Sequence, residues 1–551
     1  MKRRQFLTAC GAGLLGASMP AIGPLPTQGL PNAAAAAPQR KKRRLISNHD
    51  GGIMRLEPPL TADHFRASVR SYRGTPVDAI CWCVGDREVY HYDTNVGEVF
   101  GRRHSSFEDE WHWRRYENTR RLIDSGRCPL ATMVSVCREE GMGIFASVRM
   151  NSHYKIDPDA PNNSEFRRTR PDLLIGHPSG YTEGSKEYGI RMGLNYAKAE
   201  VRELMAATLI ELFEKFDTDG VEMDFMRHPS FFKLHEAVER GYLLTDMLRR
   251  VKQKRDEVSR TTGRRIELIA RVPPTFPDAL RVGLDVRTWI NEGLVDVVVA
   301  GGGFIPFEMP FEEFVTAARE TEVQVYGGLE FLRFRSAPSS NVEIDRAIAM
   351  RFWNAGADGL QLFNYFAQPT YWKKNFLREI GNPKGLATMD KRYQIDPRRF
   401  SPPWGGHGAA FATAVPSGQL PVALEEGDAT PRLRIRIADD LNAAKASGKL
   451  AGLQLQLYFE NYTSGDEIEV HLNGERLPHG RRPGYDLIAY WNQNQRKDRG
   501  RFLSGSIVYD VDTPPLRRGD NAIEIRLLKR AAPLAAPLEL GLVEAAIQYR
   551  S

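Results

Sequence analysis

From Leu45 to about Phe366 the chain alternates short, β-branched apolar runs with longer amphipathic ones, and this rhythm constrains the fold more than any other feature. The runs are Leu45-Ile46-Ser47-Asn48, Ala79-Ile80-Cys81-Trp82, Ile144-Phe145-Ala146-Ser147-Val148, Gly220 to Phe225, Ile266 to Ala270, Val295 to Val299, Val323-Gln324-Val325-Tyr326 and Gly359 to Phe363. Near-continuous apolar runs suit parallel strands, because helices then cover their outer faces. The intervening stretches supply those helices. Lys198 to Phe216 places Val201, Leu204, Met205, Leu209, Leu212 and Phe213 at helical spacing, Leu234 to Ser259 is a second helix, and Val342 to Ala355 ends at Gly356, a C-cap residue. Eight βα units of this length predict an α/β fold, a closed (β/α)8 TIM barrel over residues 45–400. Long loops rich in charge and aromatics interrupt the first three units, and such loops are where barrels build their sites.

The texture changes near Pro402. Short alternating segments such as Leu433 to Ile437, Leu453 to Leu457, Glu467 to Leu472 and Ala522 to Leu527 are punctuated by the turn signals Asn473-Gly474 and Gly519-Asp520-Asn521. That pattern predicts an all-β, jelly-roll-like sandwich over 401–551, read as an accessory domain that braces the barrel. The 42% hydrophobic and 26% charged fractions exclude a largely disordered chain. Residues 1–44 read as a signal peptide and linker. Lys2-Arg3-Arg4-Gln5-Phe6-Leu7 resembles the twin-arginine export signal and a Gly/Ala-rich stretch follows it, which implies a periplasmic or secreted protein with no stable membrane span once the signal is removed. The run Arg40-Lys41-Lys42-Arg43-Arg44 reads as a solvated tether. The net charge of +7 is spread through the chain, which argues against a nucleic-acid partner and admits an acidic polysaccharide. Beyond the signal, Cys81, Cys83, Cys128 and Cys137 read as buried thiols, with no zinc-type pairing.

Barrels of this type carry their reactive groups where strands end. On the fourth strand, alternation puts Glu222 and Asp224 on one face, with Val221, Met223 and Phe225 on the other. Carboxylates in a barrel lumen are costly without partners. Glu222, the deeper one, reads as a partner of Arg149 or Arg271, and Asp224, nearer the mouth, as functional. Other strand ends offer donors and aromatic faces for a hydroxyl-rich ligand: His49 and Asp50, Trp82, Arg149 with Asn151 and His153, Arg271, and Asn364 with Tyr365. Trp111, Trp113 and Tyr154 are further stacking candidates.

The segment Asp219-Gly220-Val221-Glu222-Met223-Asp224-Phe225-Met226-Arg227-His228-Pro229 resembles the "DG-[IV]-x-[LF]-D-[YF]-[IV]-R-[YH]-P" signature of family-10-like glycosyl hydrolases, a group of exported (β/α)8 barrels. A weaker likeness runs over the barrel through Ser147 to Asn151 and Leu362 to Phe366, and stops before the sandwich. The resemblance implies glycoside hydrolysis and makes Asp224 the motif aspartate and Arg227 the motif arginine, with His228 where Tyr is more usual. Chitinase-like barrels carry "DG-x-D-x-D-x-E" here. Met226 occupies their acid position, and a thioether donates no proton.

Glycosidases use two carboxyl groups. Glu330, just past the seventh strand, is the candidate acid to Asp224 as nucleophile or base, with Glu308 and Asp50 in reserve. The substrate is then a poly- or oligosaccharide and no cofactor is called for. Two alternatives stay open. One is a non-catalytic carbohydrate-binding surface protein. The other is a metal-assisted hydrolase or deacetylase gathering His49, Asp50, His153, His228 and Asp224 around an ion, although no HExxH spacing supports it.

Overall fold

The computed structural model describes residues 42–551 except 155–156, 158, 179, 302–308, 331–340, 364, 366–369, 396–405, 415–417, 483–487, 490–501, 504, 533 and 551. The signal-like segment therefore lies outside the described residues, and so do Glu308 and Asn364.

All eight strand expectations are met. β1 (Leu45–His49), β2 (Val77–Cys83), β3 (Gly143–Arg149), β4 (Gly220–Asp224), β5 (Glu267–Val272), β6 (Val297–Gly301), β7 (Gln324–Glu330) and β8 (Gly359–Phe363) pair in parallel and close into a barrel. The expected helices appear at Ala199–Lys215, Ala237–Thr262 and Asn341–Ala355, the last stopped by Gly356 at φ 94. Strand alternation divides the side chains between two cores. Ile46, Ala79, Cys81, Phe145, Ile269, Val297, Val299 and Tyr326 fill the lumen, while Leu45, Ile80, Trp82, Val148, Met223, Leu268 and Leu362 pack outward in a larger core.

The barrel floor corrects the tether reading at Arg43. Arg43 is buried, its Nη1 donating to Glu267 Oε2 at 2.5 Å, and its guanidinium stands 4.8 Å from the Phe145 ring centroid. Tyr326 hydroxyl donates to the Arg43 carbonyl at 2.8 Å. Glu267 neutralises this charge at the bottom of the barrel.

Asp219 and Gly220 explain the first half of the motif. Asp219 accepts from the Ile144 N–H at 2.7 Å and from Arg138 Nη1 at 2.9 Å, tying β4 to β3. Gly220 holds φ 152, and a Cβ there would lie 1.8 Å from the Glu267 carbonyl oxygen, so only glycine fits. These two residues build the strand; they do not face a ligand.

The C-terminal part forms the expected antiparallel sheets. One orders Lys391–Ile395, Leu538–Tyr549, Leu450–Glu460 and Gly505–Val511, with Val422–Leu424 also on Leu538–Tyr549; the other orders Leu433–Ile437, Gly519–Lys529, Glu467–Leu472 and Glu475–Arg476. Leu455, Leu457 and Ala545 of the first share a core with Ile435, Ile525 and Leu527 of the second. Lys391–Ile395 lies before residue 401, so this sheet takes in a strand from the segment read as barrel. Its Arg392 pairs with Glu343 of the barrel helix at 3.2 Å, and its Lys391 is buried against Asp439 at 2.8 Å.

Candidate active site

Barrel register decides which mouth residues meet. Asp224 pairs across strands with Arg271 on one side and Arg149 on the other, while Glu222, two residues deeper, pairs with Ile269 and Ser147. The buried guanidinium therefore goes to Asp224. Arg271 Nε donates to Oδ1 at 2.9 Å and Nη2 to Oδ2 at 2.9 Å; the N–H groups of Met226 and Arg227 also donate to Oδ1, both at 3.0 Å. Asp224 is 2% exposed and Arg271 fully buried. The Arg271 guanidinium stands 3.8 Å from the Phe363 ring centroid, and its Nη1 has no hydrogen-bond partner among the described residues.

Glu222 has no guanidinium, contrary to the sequence reading. Asn48 Nδ2 donates to Oε2 at 2.6 Å and Gln361 Nε2 to Oε1 at 2.5 Å. Burial, with the Asp224 charge behind it, pushes its carboxyl above the usual range. It sits under the mouth as a fully enclosed group, a poor position for touching a ligand.

Asp50 pairs with Arg149 Nη2, whose Nη1 lies 3.6 Å from Asp86. Burial, then the Arg227 charge, pulls the Arg149 guanidinium down to about 10. Burial raises Asp86 despite Arg87, Arg167 and Arg227 around it. Arg227 Nη2 donates to the Tyr154 hydroxyl at 2.8 Å, and the Tyr154 ring meets His228 edge-on at 4.4 Å. The mouth is thus ringed by Asp50, Asp86, Arg149, Asp224, Arg227 and Arg271.

Several expected ligand contacts are used internally. Trp82 and His49 face outward, because Cys81 and Asn48 take the lumen positions of their strands. Trp82 packs edge-on against Phe65 of α1 (Ala62–Arg70), and His49 Nε2 meets Ser68 of α1 at 3.4 Å, with burial and Lys373 lowering the imidazole to about 4. Asn151 donates to the carbonyls of Leu194 (3.0 Å) and Ser230 (2.8 Å) and accepts from the N–H groups of Ser152 and Leu194, stapling two loops together. His153 lies between the carbonyls of Ile190 and Ser230 at 2.8 and 3.0 Å, held by burial down to about 3. Tyr365 packs on Phe376. Glu330 ends β7 and pairs in register with Phe363.

Sequence reasoning missed Asn48, Asp86, Gln361 and Phe363. Gln361, a lone amide in an apolar strand, was the readable signal; Asn48 and Phe363 are placed by barrel register and Asp86 by the short antiparallel turn after β2. Among the described residues no group of three or more His, Cys, Asp or Glu could hold a metal ion, and the four described cysteines are free and buried.

The fold and mouth define a (β/α)8 barrel carrying an antiparallel β-sandwich. No protein-family model and no curated protein matches the chain. Among solved structures it is similar to a cycloisomaltooligosaccharide glucanotransferase from Paenibacillus sp., at 8% identity and TM-score 0.35, over 91% of this chain and 57% of that one. A maltogenic α-amylase from Thermotoga neapolitana gives 10% identity and TM-score 0.35, over 87% of this chain and 98% of that one. A class V chitinase from Pseudomonas fluorescens Pf-5 gives 11% identity and TM-score 0.34, over 62% and 99%. The chain spans little more than half of the glucanotransferase.

Proposed function

We propose that the protein is an exported glycoside hydrolase that cleaves a poly- or oligosaccharide at the C-terminal mouth of its barrel. The observation carrying this reading is the anchoring of Asp224. Among the described residues, three N–H groups converge on Oδ1 and one on Oδ2, which leaves a lone pair on Oδ2 for the reaction. An oxygen held and left open in this way supports either role that the sequence admits, nucleophile or base.

Glu330 is the proposed acid, at the mouth end of β7 beside the strand whose Phe363 lies against Arg271. The family-10-like motif supports the same class, and the twin-arginine-type segment supports export. No helix among the described residues is long and apolar enough to cross a membrane.

A second reading draws on one specific observation. An aspartate 2% exposed in a bidentate grip is also what a structural lumen pair looks like, and the barrel would then bind glycans without cleaving them. Release of reducing ends from a polysaccharide panel decides between the two. The enzyme reading requires release by the wild type and a loss of about 10²–10⁴-fold in Glu330→Gln, the usual worth of a general acid. Binding without release on every polymer selects the second reading.

A further inference from the structure

We propose that the protein has a second glycan-binding site, away from the barrel mouth, in which a neutral polysaccharide chain stacks on Trp113 at the start of α2 (Glu110–Asp124). An open cleft of about 600 Å³ lies there, lined among others by Ser105, Ser106, Phe107, Glu108, Trp113 and Tyr116. Trp113 is 43% exposed and Trp111, two residues earlier, 55% exposed. Single exposed apolar residues need no explanation, but a half-exposed tryptophan lining one cleft together with Phe107, Tyr116 and His104 forms an aromatic patch of the kind that binds something.

The platform is rigid before any ligand arrives. Asp109 caps α2, accepting from the His112 N–H at 2.8 Å and from its Nδ1 at 2.7 Å. Tyr116 is fixed one turn beyond Trp113 by Phe107, ring to ring at 4.9 Å. Trp111, two residues before Trp113 and off the cleft, stands 5.0 Å from the Arg55 guanidinium. The cleft walls around Trp113 are therefore formed before binding, which lowers the ordering cost of a ligand there.

The chemistry of the lining names the occupant. Aromatic faces pack on the C–H faces of pyranose rings, while Ser105, Ser106, Glu108 and Glu110 offer hydroxyls and carboxylates for sugar hydroxyls. The exposed carboxylates repel uronate or sulfate groups, so the chain is neutral. Position favours a chain that also reaches the mouth. The connection from β2 to α2 leaves the barrel at its C-terminal end, so the start of α2 lies on the mouth side of the barrel, near Arg115. Its Nη2 lies 2.8 Å from His91 Nε2 in that same connection.

The ligand class rests on the glycoside reading of the mouth, whereas binding is measured independently of turnover. Native gels cast with hydroxyethylcellulose, lichenan, mannan, soluble starch, polygalacturonate or alginate would be run with wild type, Trp113→Ala, Trp111→Ala and Glu330→Gln. Expected is retardation of wild type and Glu330→Gln by at least one neutral polymer, weakened about tenfold or more in Trp113→Ala, as for loss of an aromatic hot spot. Cleavage of short oligosaccharides by Trp113→Ala should stay at the wild-type level. Both tryptophans are exposed, so an unchanged circular dichroism spectrum is expected and excludes misfolding as the cause. Retardation by acidic polymers only, retardation by none, or retardation indifferent to Trp113 overturns the proposal. So does a wild-type dimer that Trp113→Ala dissociates without any gel retardation, which would assign the patch to a second copy. Trp113-dependent retardation without sugar release would instead leave this site standing and remove the glycosidase reading.

Discussion

Replacing Asp224 by Asn removes the charge against which Arg271 is buried, and the consequences for stability and for chemistry separate cleanly. Arg271 is fully enclosed, so water cannot replace the lost carboxylate. Breaking a buried pair from one side costs about 3–5 kcal/mol, because the remaining charge is left uncompensated. With an unfolding entropy of about 2 cal/mol/K per residue, spread over the roughly 510 residues of the compact unit, the midpoint should fall by about 3–5 °C. Arg271→Met should cost a similar amount. The double variant should regain most of it, since the methionine sulfur can lie on the Phe363 ring where the guanidinium stood. The assay is thermal unfolding of all four proteins, with sugar release measured at a temperature where each is folded. A reacting Asp224 predicts a loss of at least about 10³-fold that the double variant does not recover. Strictly additive stability losses, or Asp224→Asn within about 1 kcal/mol of wild type, refute the energetic reasoning. Sugar release that returns with stability refutes the chemical role.

Gly220→Ala should leave no soluble barrel, or one destabilised by at least about 4 kcal/mol, because its Cβ would occupy the Glu267 carbonyl; a melting temperature within about 2 °C of wild type would contradict this. Glu222→Gln tests the buried carboxyl through pH. The folded-state pKa of Glu222 lies above its ordinary 4.5, so its stabilising contribution is complete below about that pH and is lost as pH rises through the folded value. Urea midpoints should therefore move in favour of the glutamine variant with rising pH, by at most about 1.4 kcal/mol per unit, before levelling off. A shift in favour of wild type would mean that the amides of Asn48 and Gln361 outweigh burial.

The sequence by itself determined the architecture, because each strand and helix announces its period locally. β-branched runs fold as buried parallel strands wherever amphipathic helices of matching length follow them, and eight such units close. It also determined which residues of β4 share a face, since alternation is a property of a single strand. The same alternation, applied to Asn48 and Cys81, places His49 and Trp82 outside the lumen; proximity to a strand end was the weaker guide. Cross-strand partnership was decided only by tertiary structure. Glu222 is held by residues 174 and 139 positions away in the chain, and Asp224 rather than Glu222 receives Arg271 because barrel closure sets Asp224 level with it. Asn151 and His153 carry ligand-type side chains, yet the loops folding over them absorb those groups into backbone contacts. Composition gives a residue its chemical capacity, and the stagger of the strands and the path of the loops decide whether a partner inside the protein has already claimed it.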